Sequence, residues 1–129
     1  MSDFPITIFH NPRCGTSRNT LAMIEAAGYA PTVVPYLQTG WTKAQLKDLA
    51  KGAGVPVRSL LRAKEPVAEG LADASDAALL AAMVKDPILV ERPIVVTPKG
   101  VKLCRPSEAV FEVLERRPDR FVKEDGQVV

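Results

Sequence analysis

The stretch Ile6-Thr7-Ile8-Phe9-His10-Asn11-Pro12-Arg13-Cys14-Gly15-Thr16-Ser17-Arg18-Asn19-Thr20-Leu21 decides how this chain folds. Its first four residues are apolar or β-branched and alternate in character, which predicts a strand. Polar residues, Pro12 and Gly15 follow at once and predict a loop. From about Ser17 to Ala27 the apolar positions Leu21, Ile24 and Ala27 recur at helical spacing, and Gly28 supplies a stop. Thr32-Val33-Val34-Pro35-Tyr36 predicts a second strand, with Pro35 confining it to an edge or a strand end. The result is a βαβ unit in which Cys14 stands where the first strand hands over to the first helix.

Beyond this unit the pattern becomes helical. Thr42 and Gln45 have capping-box spacing ahead of the stripe Leu46, Leu49, Ala50 and Ala53, and Gly52 and Gly54 close that helix. Pro56 is a suitable first residue for a short helix carrying Val57, Leu60 and Leu61. The polar segment from Lys64 to Asp73 reads as loop. Ser75 caps a further helix with Leu79, Leu80, Met83 and Val84 on its apolar face, ending before Pro87. This makes a helical insertion over about 42–87.

Arg92-Pro93-Ile94-Val95-Val96-Thr97 and Val101-Lys102-Leu103-Cys104 flank Pro98-Lys99-Gly100 as a hairpin, and Ser107 opens a last helix with Val110, Phe111, Val113 and Leu114. The tail, about 116–129, is polar and offers little to bury. The order β-α-β, insertion, β-β-α predicts an α/β fold: a thioredoxin-like mixed sheet with the helical insertion between its βαβ and ββα halves. Residues 1–129 read as one such domain, and 129 residues suffice to bury a core.

Composition limits the function. A net charge of +2 is too small to make the surface a trap for nucleic acid or anionic lipid, so an anion site has to be local. Two cysteines and one histidine, His10, cannot build a structural metal cluster, and no metal is expected. The start of the chain lacks the features of a signal peptide, and no apolar run approaches a membrane span. A reducing cytoplasm, where Cys14 and Cys104 stay free thiols, is the expected compartment.

A helix N-terminus stabilises thiolates and binds anions, and Arg13 and Arg18 add positive charge nearby. Local chemistry leaves two readings of Cys14, a reactive thiolate or a small buried thiol. Ser17 completes C-x-x-S, so a resolving thiol has to come from a small thiol, a partner protein or Cys104. Ser17 itself reads as a helix-capping hydroxyl or as part of the site. His10 reads as a structural residue or as a group that holds the thiolate or carries its proton. A phosphatase-type loop would place arginine where Thr20 stands, so that chemistry is disfavoured.

The run from His10 to Leu21 closely resembles the signature of the glutaredoxin-dependent arsenate reductase (ArsC) family. Ser59-Leu60-Leu61-Arg62, Glu91-Arg92-Pro93-Ile94-Val95-Val96-Thr97-Pro98 and Leu103-Cys104-Arg105-Pro106-Ser107-Glu108 resemble its three substrate-arginine segments, in order. The resemblance spans Ile6 to about Gly126. It implies that Cys14 is the catalytic nucleophile and that Arg62, Arg92 and Arg105 surround the oxyanion; from the loop itself, His10 is expected to act beside Cys14, and Asn11, Ser17 and Arg18 to steady the thiolate. Guanidinium forks suit such oxygens. It further implies reduction of arsenate to arsenite, an arsenic-detoxifying oxidoreductase reaction through a covalent Cys14–arsenic intermediate. Glutathione is the implied cosubstrate, glutaredoxin the partner, and no resident cofactor is needed. Pro93 resembles the cis-proline that thioredoxin-like folds set opposite the active cysteine. Two other functions fit the same fold: a redox regulator that binds RNA polymerase, normally with C-x-x-C, and a monothiol glutaredoxin-like protein, which leaves the three arginines unexplained.

Overall fold

The computed structural model describes residues 4–129. Four short strands, β1 (Thr7–Phe9), β2 (Thr32–Val34), β3 (Ile94–Thr97) and β4 (Gly100–Leu103), form one mixed sheet in the order β2-β1-β3-β4. β1 pairs parallel with β2, Ile8 opposite Val33, and antiparallel with β3, Ile8 opposite Val95. β3 and β4 are the expected hairpin, closed by Pro98-Lys99, and Gly100 takes a φ of 139° that only glycine adopts without strain. A parallel pair needs a crossover, and α1 (Gly15–Ala26) supplies it.

The chain divides into two compact units: residues up to Pro35 with Arg92–Val129, and Tyr36–Glu91. In the first, Ile6, Ile8, Met23, Ile24, Val95, Cys104, Val110 and Leu114 form a continuous apolar core. In the second, α2 (Tyr36–Thr39), α3 (Lys43–Ala53) and α4 (Asp76–Lys85) pack with short 3-10 turns at Val57–Leu60 and Pro87–Leu89. Thr42 closes the expected capping box with Gln45, and the Ser75 hydroxyl accepts the Ala78 N–H. This unit begins before and ends after the expected 42–87: Tyr36 turns directly into α2, and the 3-10 turn at Pro87–Leu89 continues it past α4.

Several local expectations are corrected. Pro56 is extended and precedes a 3-10 turn instead of opening an α-helix. Val84 lies on the exposed side of α4, leaving Leu79, Leu80 and Met83 as its buried face. The last helix, Ser107–Val113, is 3-10 and has Pro106, not Ser107, at its N-cap. The Arg92–Pro93 bond is cis as expected, and Arg105–Pro106 is cis as well.

The tail is not idle. Phe121 and Val129 exchange backbone hydrogen bonds and pack on the core of the first unit, while Val122 bridges Val128. Lys123 pairs with Glu108 at 2.6 Å, and the Glu124 N–H donates to Asn19 Oδ1 at 3.0 Å. A charged composition hid this hairpin because two apolar side chains and a few specific pairs suffice to dock it.

Candidate active site

Cys14 is the N-cap residue of α1, with extended backbone (φ −97°, ψ 120°). The loop before it is closed by its own polar groups: the Cys14 N–H donates to the Asn11 carbonyl at 3.0 Å, and the Arg13 N–H to Asn11 Oδ1 at 2.9 Å. Asn11 therefore shapes the turn that presents the sulfur. Burial opposes ionisation of the half-buried thiol, but the backbone N–H of Ser17, the Arg105 guanidinium and the N–H of Thr16 outweigh it and hold the thiol below its ordinary range. Arg105 Nη1 stands 3.9 Å from the sulfur and donates to the Arg92 carbonyl at 2.8 Å. That bond ties the cation to the segment ahead of cis-Pro93. Arg92 itself is 6% exposed.

Ser17 is fully buried and does not cap α1 with its hydroxyl. Its Oγ lies 2.7 Å from His10 Nδ1 and accepts the Asn11 N–H at 3.1 Å. One serine thus offers its N–H to the nucleophile and its hydroxyl to the two residues that frame the loop. Burial, and then the charge of Arg18, push His10 below its ordinary range, so the ring is neutral at pH 7.

Arg18 interacts electrostatically with Cys14, as the expectation has it, but its hydrogen bonds go elsewhere. Its Nε and Nη2 hold Glu124 at 2.9 and 3.0 Å, and Nη1 donates to the Pro12 carbonyl at 2.8 Å. The guanidinium that contacts the sulfur is that of Arg105, a residue expected to serve the substrate. Sequence reading missed Thr16 and Glu124. The former was discoverable as the second helical amide, the latter not, since nothing local links positions 18 and 124.

Arg62 lies in the Tyr36–Glu91 unit, where Nε meets Glu65 at 3.1 Å and Nη1 meets Glu91 at 3.1 Å. Its N–H also donates to the Leu89 carbonyl. Cys104 is wholly buried in the first unit's core, and burial pushes its thiol up to about 12. That removes it as a resolving thiol at neutral pH. Among the described residues no group of three or more His, Cys, Asp or Glu side chains is placed to hold a metal ion. No helix among them is long and apolar enough to cross a membrane.

A half-buried thiol depressed by helix amides and a guanidinium is equipped to attack an electrophilic anion. Comparison with known proteins agrees with that chemistry. The chain is 54% identical over 134 aligned residues to the arsenate reductase ArsI1 of Synechocystis sp., covering 100% of this chain and 93% of that protein. It is 51% identical over 129 residues to an arsenate reductase of Escherichia coli, covering 96% and 92%. An arsenate reductase structure from Vibrio cholerae superposes with a TM-score of 0.82 at 42% identity, covering 88% of this chain and 100% of that one. The profile of the ArsC family matches residues 9–113, from the end of β1 to the end of the last 3-10 helix, and the chain belongs to that family.

Proposed function

We propose that this chain is an arsenate reductase in which Cys14 is the nucleophile. The observation that carries the proposal is the Cys14 sulfur at the N-terminus of α1, 3.9 Å from Arg105 Nη1. The thiolate attacks As(V), an S–As bond forms, and one arsenate oxygen leaves as water after taking up protons. Arg105 lies where it can hold an oxyanion oxygen against the attacking sulfur, and Arg92 adds a second guanidinium. Arg62 is proposed as the third substrate arginine from its sequence segment.

Glutathione adds its sulfur to the bound arsenic, with loss of a second oxygen as water. Glutaredoxin then attacks the glutathionyl sulfur, a disulfide forms, and the electron pair of the broken S–As bond reduces As(V) to As(III). Hydrolysis releases arsenite and returns the Cys14 thiolate. External thiols are needed because position 17 is serine and Cys104 is buried with its thiol at about 12. Glutathione serves as cosubstrate, and the route uses no resident cofactor. Asn11 and Ser17 act as positioning residues for the loop. Neutral His10, held on Ser17, accepts or returns a proton during these exchanges. Free thiols and thiol reductants suit a cytoplasmic setting.

Full-length relatives at about half identity that are arsenate reductases support this over a polymerase-binding regulator or a monothiol glutaredoxin. The test is purified protein with arsenate, glutathione, glutaredoxin and an NADPH-linked readout, beside Cys14→Ser. Wild-type turnover that vanishes in the variant is expected. Turnover persisting in Cys14→Ser removes the nucleophile, and an inactive wild type removes arsenate as substrate.

A further inference from the structure

The reaction proposed above brings a small thiol to Cys14, and the residues on either side of Cys14, Pro12 and Gly15, adjoin a carboxylate site which the mechanism has not used. Arg18 grips the Glu124 carboxylate with two parallel bonds, Nε to Oε2 at 2.9 Å and Nη2 to Oε1 at 3.0 Å. Its remaining terminal nitrogen is anchored on the Pro12 carbonyl at 2.8 Å. The fork is therefore held in a fixed pose by the active-site loop itself, and what it holds is a bidentate carboxylate.

Position and exposure make this more than a surface ion pair. A side-chain carbon on Gly15, the residue after Cys14, would lie 3.6 Å from Arg18 Nη2 and 3.8 Å from Glu124 Oε1. Gly15 thus lies directly beside the ion pair, and Arg18 stands three residues, about one turn, further along α1. The Arg18 and Glu124 side chains are 43% and 50% exposed. Exposed ion pairs add little net stability, so one carboxylate can replace another there at small cost. Glu124 enters from the tail hairpin, which keeps its own hold through Asn19, Glu108 and the packing of Phe121 and Val129. Letting go of Arg18 does not require that hairpin to leave.

We propose that Arg18 is the docking site for a carboxylate of the thiol cosubstrate, and that Glu124 is an internal place-holder which the incoming carboxylate displaces. The proposal rests on the thiol-dependent reading of Cys14, and on no property of arsenate. A thiol peptide bearing carboxylates fits this site, and a thiol without them gains nothing from it.

The test uses thiol–disulfide exchange, which needs no arsenate. The Cys14 thiolate attacks glutathione disulfide, a Cys14–glutathione disulfide forms, and one glutathione thiolate leaves. The rate is followed by mass spectrometry and divided by the rate with 2-hydroxyethyl disulfide, which has no carboxylate. The ratio cancels any change in the intrinsic reactivity of Cys14. Arg18→Ala is expected to lower the ratio roughly threefold, the scale of an exposed ion pair, and Glu124→Gln to raise it by a similar factor. A ratio unchanged in either variant, or shifted in the same direction by both, overturns the proposal. Arsenate turnover, measured separately, stands or falls on its own, so failure here and failure of the reductase reading are distinguishable.

Discussion

Replacing Arg105 by alanine removes the guanidinium 3.9 Å from the Cys14 sulfur. Two unit charges at that distance attract by about 1 kcal/mol in a water-like dielectric, the appropriate limit for an exposed arginine. Loss of that attraction disfavours the anion, so the thiol pKa rises and, at a pH below it, the thiolate population falls about sixfold. A more basic thiolate is also a better nucleophile, with a Brønsted slope of about 0.4–0.5, which returns roughly half of the logarithmic loss. Exchange of Cys14 with 2-hydroxyethyl disulfide should then be about threefold slower in the acidic limb and about twofold faster on the alkaline plateau. The two rate–pH curves cross. Superimposable curves for Arg105→Ala and wild type would refute the electrostatic role, and a uniform loss at every pH would mean that Arg105 shapes the loop instead of charging the sulfur.

Three further outcomes are expected. His10 is the only histidine, so its ring protons report one titration by NMR; the midpoint should lie below 6.5, because burial and Arg18 favour the neutral ring. The unfolded chain then binds its proton first as pH falls, so this residue makes stability decline with decreasing pH below about 6.5; a midpoint at 6.5 would abolish that dependence and one above it would reverse the sign. Alkylation at pH 8 should modify Cys14 alone in the folded protein and both cysteines in denaturant, whereas prompt native-state labelling of Cys104 would contradict its burial. Thr42→Ala deletes a complete capping box at α3 and should cost about 1 kcal/mol in urea unfolding, with a change under a few tenths showing that the cap contributes little.

The catalytic loop was legible in the sequence because its features are local. A β-branched run, a polar turn and a helical stripe suffice to put Cys14 at a helix N-terminus, and the same logic found the Thr42 and Ser75 caps and the β3–β4 hairpin. What escaped depends on partners distant in the chain. The partners of Arg18 and Arg105 were hidden because Glu124, 106 positions away, binds the first, while the second reaches the sulfur across 91 positions. Ser17 became a buried junction and not a cap because His10 and Asn11 fold back onto its hydroxyl. The final helix tightened to 3-10 over Ser107–Val113, where spacing alone cannot tell one helical winding from the other. Resemblance to a known family supplied the pairing of Cys14 with three arginines, which no periodicity could have provided.

The distance in sequence between Cys14 and Arg105 has a consequence for how the protein is made. A ribosome releases residues in order, so the strand, loop and nucleophile emerge early, while the β3 partner of β1 and the cation that helps acidify the thiol emerge late. Until Arg105 is in place the Cys14 thiol lacks one of the groups that lower its pKa, and only the α1 amides of Thr16 and Ser17 remain to do so. Full acidification of the thiol therefore waits on the segment that follows β4, which couples the reactivity of the nucleophile to completion of the sheet.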